Sequence, residues 1–179
     1  MPLTDAQKTS LLRIARESVT GYFTTGQPIA GAASGLPEAS GAFVTIKRRG
    51  ELRGCIGTLE CREDLAAEIA RCALQSATED PRFPPVSAGE LPELSFEVSV
   101  LGPLEEIDPA AHDSIVVGRH GVVVEMGHRR GLLLPQVATE GGWTKDQFLD
   151  QTSRKAGLAA DAWRTGARVF RFEAEVFGE

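Results

Sequence analysis

The chain has 179 residues, of which 42% are hydrophobic and 25% are charged. This composition suffices for a sizeable core in one domain or two small subdomains, and it excludes a disordered protein. The formal net charge of −6 disfavours a nucleic-acid binder, and no apolar run approaches the roughly 20 residues that a membrane helix needs.

The first predicted element is a helix over residues 5–25, followed by a loop. Thr4 and Gln7 are spaced as a capping box, apolar residues then recur at helical spacing, and Gly26 ends the helix. Residues 26–41 are rich in Gly, Ala, Ser and Pro. We expect them to form a loop that wraps the body or covers a site.

A β-hairpin is predicted next, with strands over residues 42–47 and 52–57. Two glycines, Gly54 and Gly57, lie in the return strand. Glycine weakens a strand unless a bulge or a close backbone approach requires it.

The remaining chain interleaves helices with short strands. Helices are predicted over residues 62–78 and 145–156, the second with a capping box at Thr144 and Gln147, and Pro-rich residues 80–85 end the first. Strands are predicted over 93–101, 114–118, 122–126, 131–134 and 169–176. We therefore predict an α+β fold with a mixed or antiparallel sheet and flanking helices, rather than a doubly wound parallel sheet.

Several segments resemble the AMMECR1 domain family. Residues 52–57 match its LRGCIG signature, and further matches follow in the expected order: Asp80-Pro81-Arg82-Phe83-Pro84, Glu97-Val98-Ser99-Val100-Leu101, His120-Gly121, Leu134-Pro135-Gln136-Val137-Ala138 and Lys155-Ala156-Gly157-Leu158. The resemblance extends over about residues 10–177. It implies a single domain over residues 1–179, made of two closely packed subdomains of unequal size.

The resemblance also implies partners. Prokaryotic relatives belong to a group named AmmeMemoRadiSam, in which an AMMECR1-type protein occurs with a Memo-type protein and a radical-SAM protein. The resemblance supplies neither a reaction nor an oligomeric state. Many prokaryotic relatives carry a cysteine where this chain has Ser153, and we assign Ser153 no role.

Cys55 is the strongest candidate for a catalytic residue. Gly54 and Gly57 would let a substrate approach the backbone closely, and Arg53 would favour the reactive thiolate if no bulge separates their faces. The N–H groups around Cys55 are candidates for binding an oxyanion. In the alternative interpretation, Cys55 is a small packing residue in a tight strand.

Four further residues complete the predicted site. His120 is the best candidate for a base beside Cys55, although a lone loop histidine is often only a solvated polar group. Asp80 and Arg82 either bind an anionic substrate or fix their own loop. Gln136 either lines a cleft or bonds to free backbone groups.

Other chemistry is not predicted. The histidines and cysteines show no zinc-binding spacing, and no dinucleotide or phosphate-binding fingerprint occurs, so we expect neither a metal nor a nucleotide cofactor. The sequence MPLTDAQKTS does not resemble a signal peptide, so we expect three reduced thiols in a cytoplasmic protein.

Two functions remain open. The first is a cysteine-dependent enzyme that acts on a small-molecule or protein-bound substrate. The second is a non-catalytic binding module, in which the motif strand and residues 80–85 bind the Memo-type or radical-SAM partner.

Overall fold

The computed structural model describes residues 2–179, which form two compact units. The first unit contains the residues up to Leu101 together with Glu175–Glu179, and the second contains Gly102–Ala174. Each unit combines helices with antiparallel strands, so the predicted α+β class is confirmed. That the two units pack closely as one domain stays a prediction.

The first unit places two helices on one face of a sheet. Its strands lie in the order β2-β1-β3, and the end of β7 lies beside β3, which leaves β2 at the edge of the described sheet. Both helices contact each other and the sheet. The elements are α1 (Asp5–Thr25), β1 (Gly41–Arg48), β2 (Glu51–Thr58), α2 (Leu65–Thr78), a 3-10 helix (Ala88–Glu93), β3 (Leu94–Leu101) and the end of β7 (Arg168–Gly178).

Capping side chains determine where the two helices begin. At α1, Thr4 and Gln7 form the predicted capping box, and Gly26 takes a left-handed conformation with φ of 73°. At α2, the Asp64 side chain accepts from the Ala67 N–H. Asp64 is therefore the N-cap, and α2 begins three residues later than predicted.

The loop over residues 26–41 packs against the helices. A Cβ on Gly31 would lie 2.4 Å from the carbonyl oxygen of Ala66 in α2, so the backbone passes very close to that helix. The Gln7 side chain donates to the Gly35 carbonyl at 2.6 Å. The loop thus wraps the first unit, which is one of the two roles predicted for it.

The second unit has the strand order β4-β7-β5-β6, with every described pairing antiparallel. Its core includes the buried side chains of Phe148 and Trp163. The elements are β4 (Glu105–Ile107), a 3-10 helix (Pro109–Ser114), β5 (His120–Met126), β6 (Arg129–Leu133), α3 (Pro135–Glu140), α4 (Lys145–Lys155), a 3-10 helix (Ala162–Arg164) and the first part of β7.

The predicted strand over residues 114–118 is wrong. Ile115 N–H donates to the His112 carbonyl, and His120 N–H donates to the Val116 carbonyl at 2.9 Å. These local bonds use groups that a strand would offer to a neighbour. Gly118, with φ of 88°, turns the chain into β5 instead.

No helix among the described residues has the length and apolar character needed to cross a membrane.

Candidate functional site

Arg53 lies in a β-bulge. Ile46 pairs with Gly54 and Lys47 pairs with Leu52, so Arg53 is an extra residue without a partner on β1. Arg53 and Cys55 were expected to share a face only if the strand is uninterrupted. The bulge interrupts it, so this condition is not met.

The Arg53 guanidinium instead binds the segment before β3. Its Nε donates to Glu90 Oε1 at 2.9 Å, and its Nη1 donates to the Pro84 carbonyl at 2.8 Å. The hydrogen bond from Arg53, with additional bonds from Ser87, lowers the pKa of Glu90 to about 2. The structure thus gives Arg53 a structural role that ties β2 to this segment.

The two motif glycines lie against the protein itself. A Cβ on Gly54 would stand 2.0 Å from the carbonyl oxygen of Ser76 in α2, and a Cβ on Gly57 would stand 2.2 Å from the ring of Phe43. Gly54 and Gly57 thus allow α2 and Phe43 to pack directly on β2. Their substrate-binding role stays a prediction.

Ser76 reaches between β1 and β2. Its hydroxyl accepts from the Ile56 N–H at 2.7 Å and donates to the Val44 carbonyl at 2.8 Å, and the residue is only 2% exposed. A side chain of α2 therefore provides a hydrogen-bond partner for one backbone group of each strand. This contact fixes α2 directly behind the motif.

Asp80 joins the motif to the turn after α2. Its buried carboxylate accepts from the Cys55 N–H at 2.9 Å and from Arg82 through the backbone N–H and two guanidinium nitrogens. Hydrogen bonding from Arg82 holds the pKa of Asp80 far below its usual range, against the opposing effect of burial and with help from the two amides. These bonds fix the loop that carries Asp80 and Arg82, and the binding of an anionic substrate by the two residues stays a prediction.

The amides beside Cys55 have acceptors within the chain. Cys55 N–H bonds to Asp80 and Ile56 N–H bonds to Ser76. The predicted oxyanion site at these two amides is wrong for this conformation, because neither N–H group is free to donate to a substrate.

The Cys55 sulfur is half-buried and has a hydroxyl donor. Thr45 Oγ1 donates to Cys55 Sγ at 3.2 Å, and these two residues face each other across β2 and β1. Thr45 also pairs with Glu97 on β3, and Lys47 Nζ contacts Glu97 Oε2 at 2.9 Å. We call Cys55, Thr45, Glu97 and Lys47 the polar row.

The polar row lies on the outer face of the sheet. The alternating residues Ala42, Val44 and Ile46 of β1 are fully buried in the core beneath α1 and α2. Because successive side chains of a strand point to opposite faces, Thr45 and its partner Cys55 point away from that core. The sulfur is thus placed among polar groups rather than deep among hydrocarbon.

The family model of AMMECR1 matches residues 12–177. The chain belongs to the AMMECR1 family. It is 44% identical to a protein of Thermofilum pendens, over 94% of this chain and 88% of that protein, and 42% identical to one of Methanothermobacter thermautotrophicus, over 99% and 97%. The crystal structure of the uncharacterized protein PH0010 from Pyrococcus horikoshii superposes with a TM-score of 0.86 at 42% identity, covering 94% of this chain and 89% of that one.

The other two cysteines of this AMMECR1 chain have less favourable surroundings for a reactive thiol. All three cysteines are free. Burial raises the pKa of Cys72 to about 11, and burial followed by the charge of Glu68 raises the pKa of Cys61. Each shift disfavours the thiolate, so Cys61 and Cys72 are weaker candidates for chemistry.

His120 and Gln136 belong to the second unit of the AMMECR1 fold. The His120 ring is buried, and its Nδ1 accepts from the Val116 N–H at 2.9 Å. Burial, followed by the charges of Arg171 and Arg119, lowers the pKa of His120. Gln136 lies in the first turn of α3. The role of His120 as a base for Cys55 and the substrate-binding role of Gln136 stay predictions.

Sequence reasoning missed Thr45, Ser76 and Glu97. Hairpin register would have found Thr45, because it lies directly opposite Cys55. Ser76 lies on the buried face of α2, where a polar residue among apolar ones indicates a specific partner. Glu97 required the pairing of β1 with β3, which no local pattern specifies.

Proposed function

We propose that Cys55 is the nucleophilic thiol of a cysteine-dependent enzyme. The observation that carries this proposal is the hydrogen bond from Thr45 to the sulfur, at a half-buried position whose amide donates to the Asp80 carboxylate. The sulfur is the acceptor in this bond, which is the role that a thiolate takes. A cysteine that served only as packing would need no such donor.

The proposed step is attack of the Cys55 thiolate on an electrophilic carbon. A carbon–sulfur bond forms, and the bond to the leaving group breaks, with its electron pair departing on the leaving group. The thiol proton moves to a base before attack, and the candidate base within the first unit is Glu97 of the polar row. Arg82, whose side chain is 56% exposed, is suited to hold an anionic part of the substrate.

The proposal places the protein in the cytoplasm, where thiols stay reduced. Memo-type and radical-SAM proteins, the partners implied by the family resemblance, would supply a small-molecule or protein-bound substrate. The AMMECR1 match supports membership of the family, and the reaction itself rests on the surroundings of Cys55.

Thiol alkylation tests the proposal without knowledge of the substrate. The folded chain is treated with limiting iodoacetamide at neutral pH, and each cysteine is quantified by peptide mass spectrometry. We expect Cys55 to react at least about tenfold faster than Cys72, since the latter is buried with a raised pKa. Thr45→Val should slow the reaction at Cys55, and Thr45→Ser, which keeps the hydroxyl, should restore it.

Two results would overturn the proposal. One is alkylation of Cys55 as slow as that of Cys72. The other is an unchanged rate in Thr45→Val when circular dichroism shows a native fold. Cys72 serves as the internal reference in every sample, so differences in reagent or protein concentration do not affect the comparison.

A docking module is the second candidate function. It is favoured by the internal acceptors at the Cys55 and Ile56 amides, which leave no oxyanion site there. In that case a Memo-type protein would be retained in a pulldown by wild type and by Cys55→Ser, and less by Arg82→Lys, which keeps the charge beside Asp80. The absence of a complex at micromolar concentrations would count against docking.

A further inference from the structure

A cavity lies in the first unit, apart from the polar row. It has a volume of about 530 Å³, within the range of small-molecule sites. Its walls come from the end of α1, residues 28–30 of the wrapping loop and the outer face of α2. Tyr22, Ile29 and Leu74 provide apolar surface, and Ala67 and Ala70 leave space above the helix.

Two glycines hold the loop in the position that forms this cavity. A Cβ on Gly21 would lie 1.9 Å from Ile29 Cδ1, so Ile29 rests directly on the surface of α1. Two residues later, Gly31 lies against the carbonyl of Ala66 in α2. The loop thus contacts both helices beside the cavity.

The rim of the cavity is acidic. Its one guanidinium, that of Arg71, donates to the buried carboxylate of Glu68 and to Gln75 Oε1 at 2.7 Å. Gln75 in turn donates to Glu79 at 3.3 Å. The charge of Arg71 is therefore balanced by Glu68 within α2, and the other charged residues of the lining, Glu63 and Glu79, are both acidic.

The protonation state of Glu68 supports this charge balance. Burial alone raises the pKa of Glu68, but hydrogen bonds from Arg71 and from the amides of Arg62 and Glu63 outweigh it. The pKa of Glu68 is consequently below its ordinary value, and the residue is ionised at neutral pH.

We propose that this cavity binds a small organic cation with an apolar body. The apolar walls would cover the body, and the carboxylates of Glu63 and Glu79 would attract an ammonium group. The Tyr22 ring offers a face for a cation–π contact, a contribution that is available to a cation and not to an anion. An organic anion of the same size would meet the two carboxylates, so the site discriminates by charge.

The experiment compares three probes of similar size and different charge. The full chain, labelled with ¹⁵N, is titrated to about 20 mM with phenethylammonium, 2-phenylethanol or phenylpropionate, and amide shifts are followed by NMR. We expect phenethylammonium to shift the amides of residues 22–30 and 67–79. Its affinity should exceed that of phenylpropionate by about fivefold or more, because two partly screened carboxylates and the Tyr22 ring attract a cation.

Two variants and a control link the selectivity to the rim. Glu63→Gln with Glu79→Gln should reduce the preference for the cation to less than about twofold. Ala67→Phe should fill the cavity and abolish the shifts of all three probes, whereas Glu140→Gln, in the second unit, should change nothing. Equal affinity for the three probes, shifts confined to other residues, or an unaltered preference in the double variant would each overturn the proposal.

Discussion

The hydroxyl of Ser76 makes a specific and measurable contribution to stability. In Ser76→Ala, the Ile56 N–H and the Val44 carbonyl each lose a partner, at 2.7 and 2.8 Å. An unsatisfied buried backbone group costs about 1–3 kcal/mol. Val44 is fully buried, whereas Ile56 is half-buried. The Ile56 N–H therefore regains part of its lost hydrogen bonding from water. The expected decrease in the free energy of unfolding is therefore about 3 kcal/mol.

Urea denaturation followed by circular dichroism measures this decrease, and hydrogen exchange of the Ile56 amide localises it. Ser18→Ala is the matched control, because Ser18 is also a helix residue only 2% exposed. Its hydroxyl donates to the Ala15 carbonyl within the same helix, so its removal should change stability by less than about 0.5 kcal/mol. A loss below about 1 kcal/mol in Ser76→Ala, with the Ile56 amide still protected, would refute the reasoning.

Three other predictions concern the same chain. Gly54→Ala should lower the unfolding free energy by more than about 2 kcal/mol in urea denaturation, because its Cβ would lie 2.0 Å from the Ser76 carbonyl. Ser153→Ala should raise the melting temperature, because the buried Ser153 hydroxyl has no hydrogen-bond partner within residues 2–179. The Asp80 pKa is lowered, chiefly by Arg82, so its stabilisation is complete above about pH 4 and declines as the pH falls toward the folded-state pKa. Asp80→Asn should accordingly flatten the acid limb of a pH–stability curve.

The elements that sequence reasoning predicted well have strong local causes. Capping boxes at Thr4 and Thr144 form as expected, and each places the start of its helix to the residue. The alternation of apolar residues likewise identified β3 and β7. By contrast, α3 has only six residues, Pro135–Glu140, which is too short for a helical period to show.

The surroundings of Cys55 could be predicted only in part. The motif indicated where to look, and Asp80 and Arg82 do lie beside it, although their bonds are to each other and to the Cys55 amide. Simple alternation of side chains along the strand could have placed the Arg53 guanidinium beside the Cys55 sulfur. The bulge at Arg53 directs it elsewhere. The carbonyl that accounts for Gly54 belongs to Ser76, 22 positions later in sequence, and only tertiary packing brings it there.

The division of the chain has a consequence for the order in which it can fold during translation. Residues 175–179 belong to the first unit: Glu175 accepts from the Leu3 N–H, and Glu179 bonds to the Phe96 N–H and forms an ion pair with Arg16. A nascent chain that ends at residue 174 contains the whole second unit but lacks these contacts. The part synthesised first is thus the part completed last, because the first unit needs residues that follow the whole second unit in the chain.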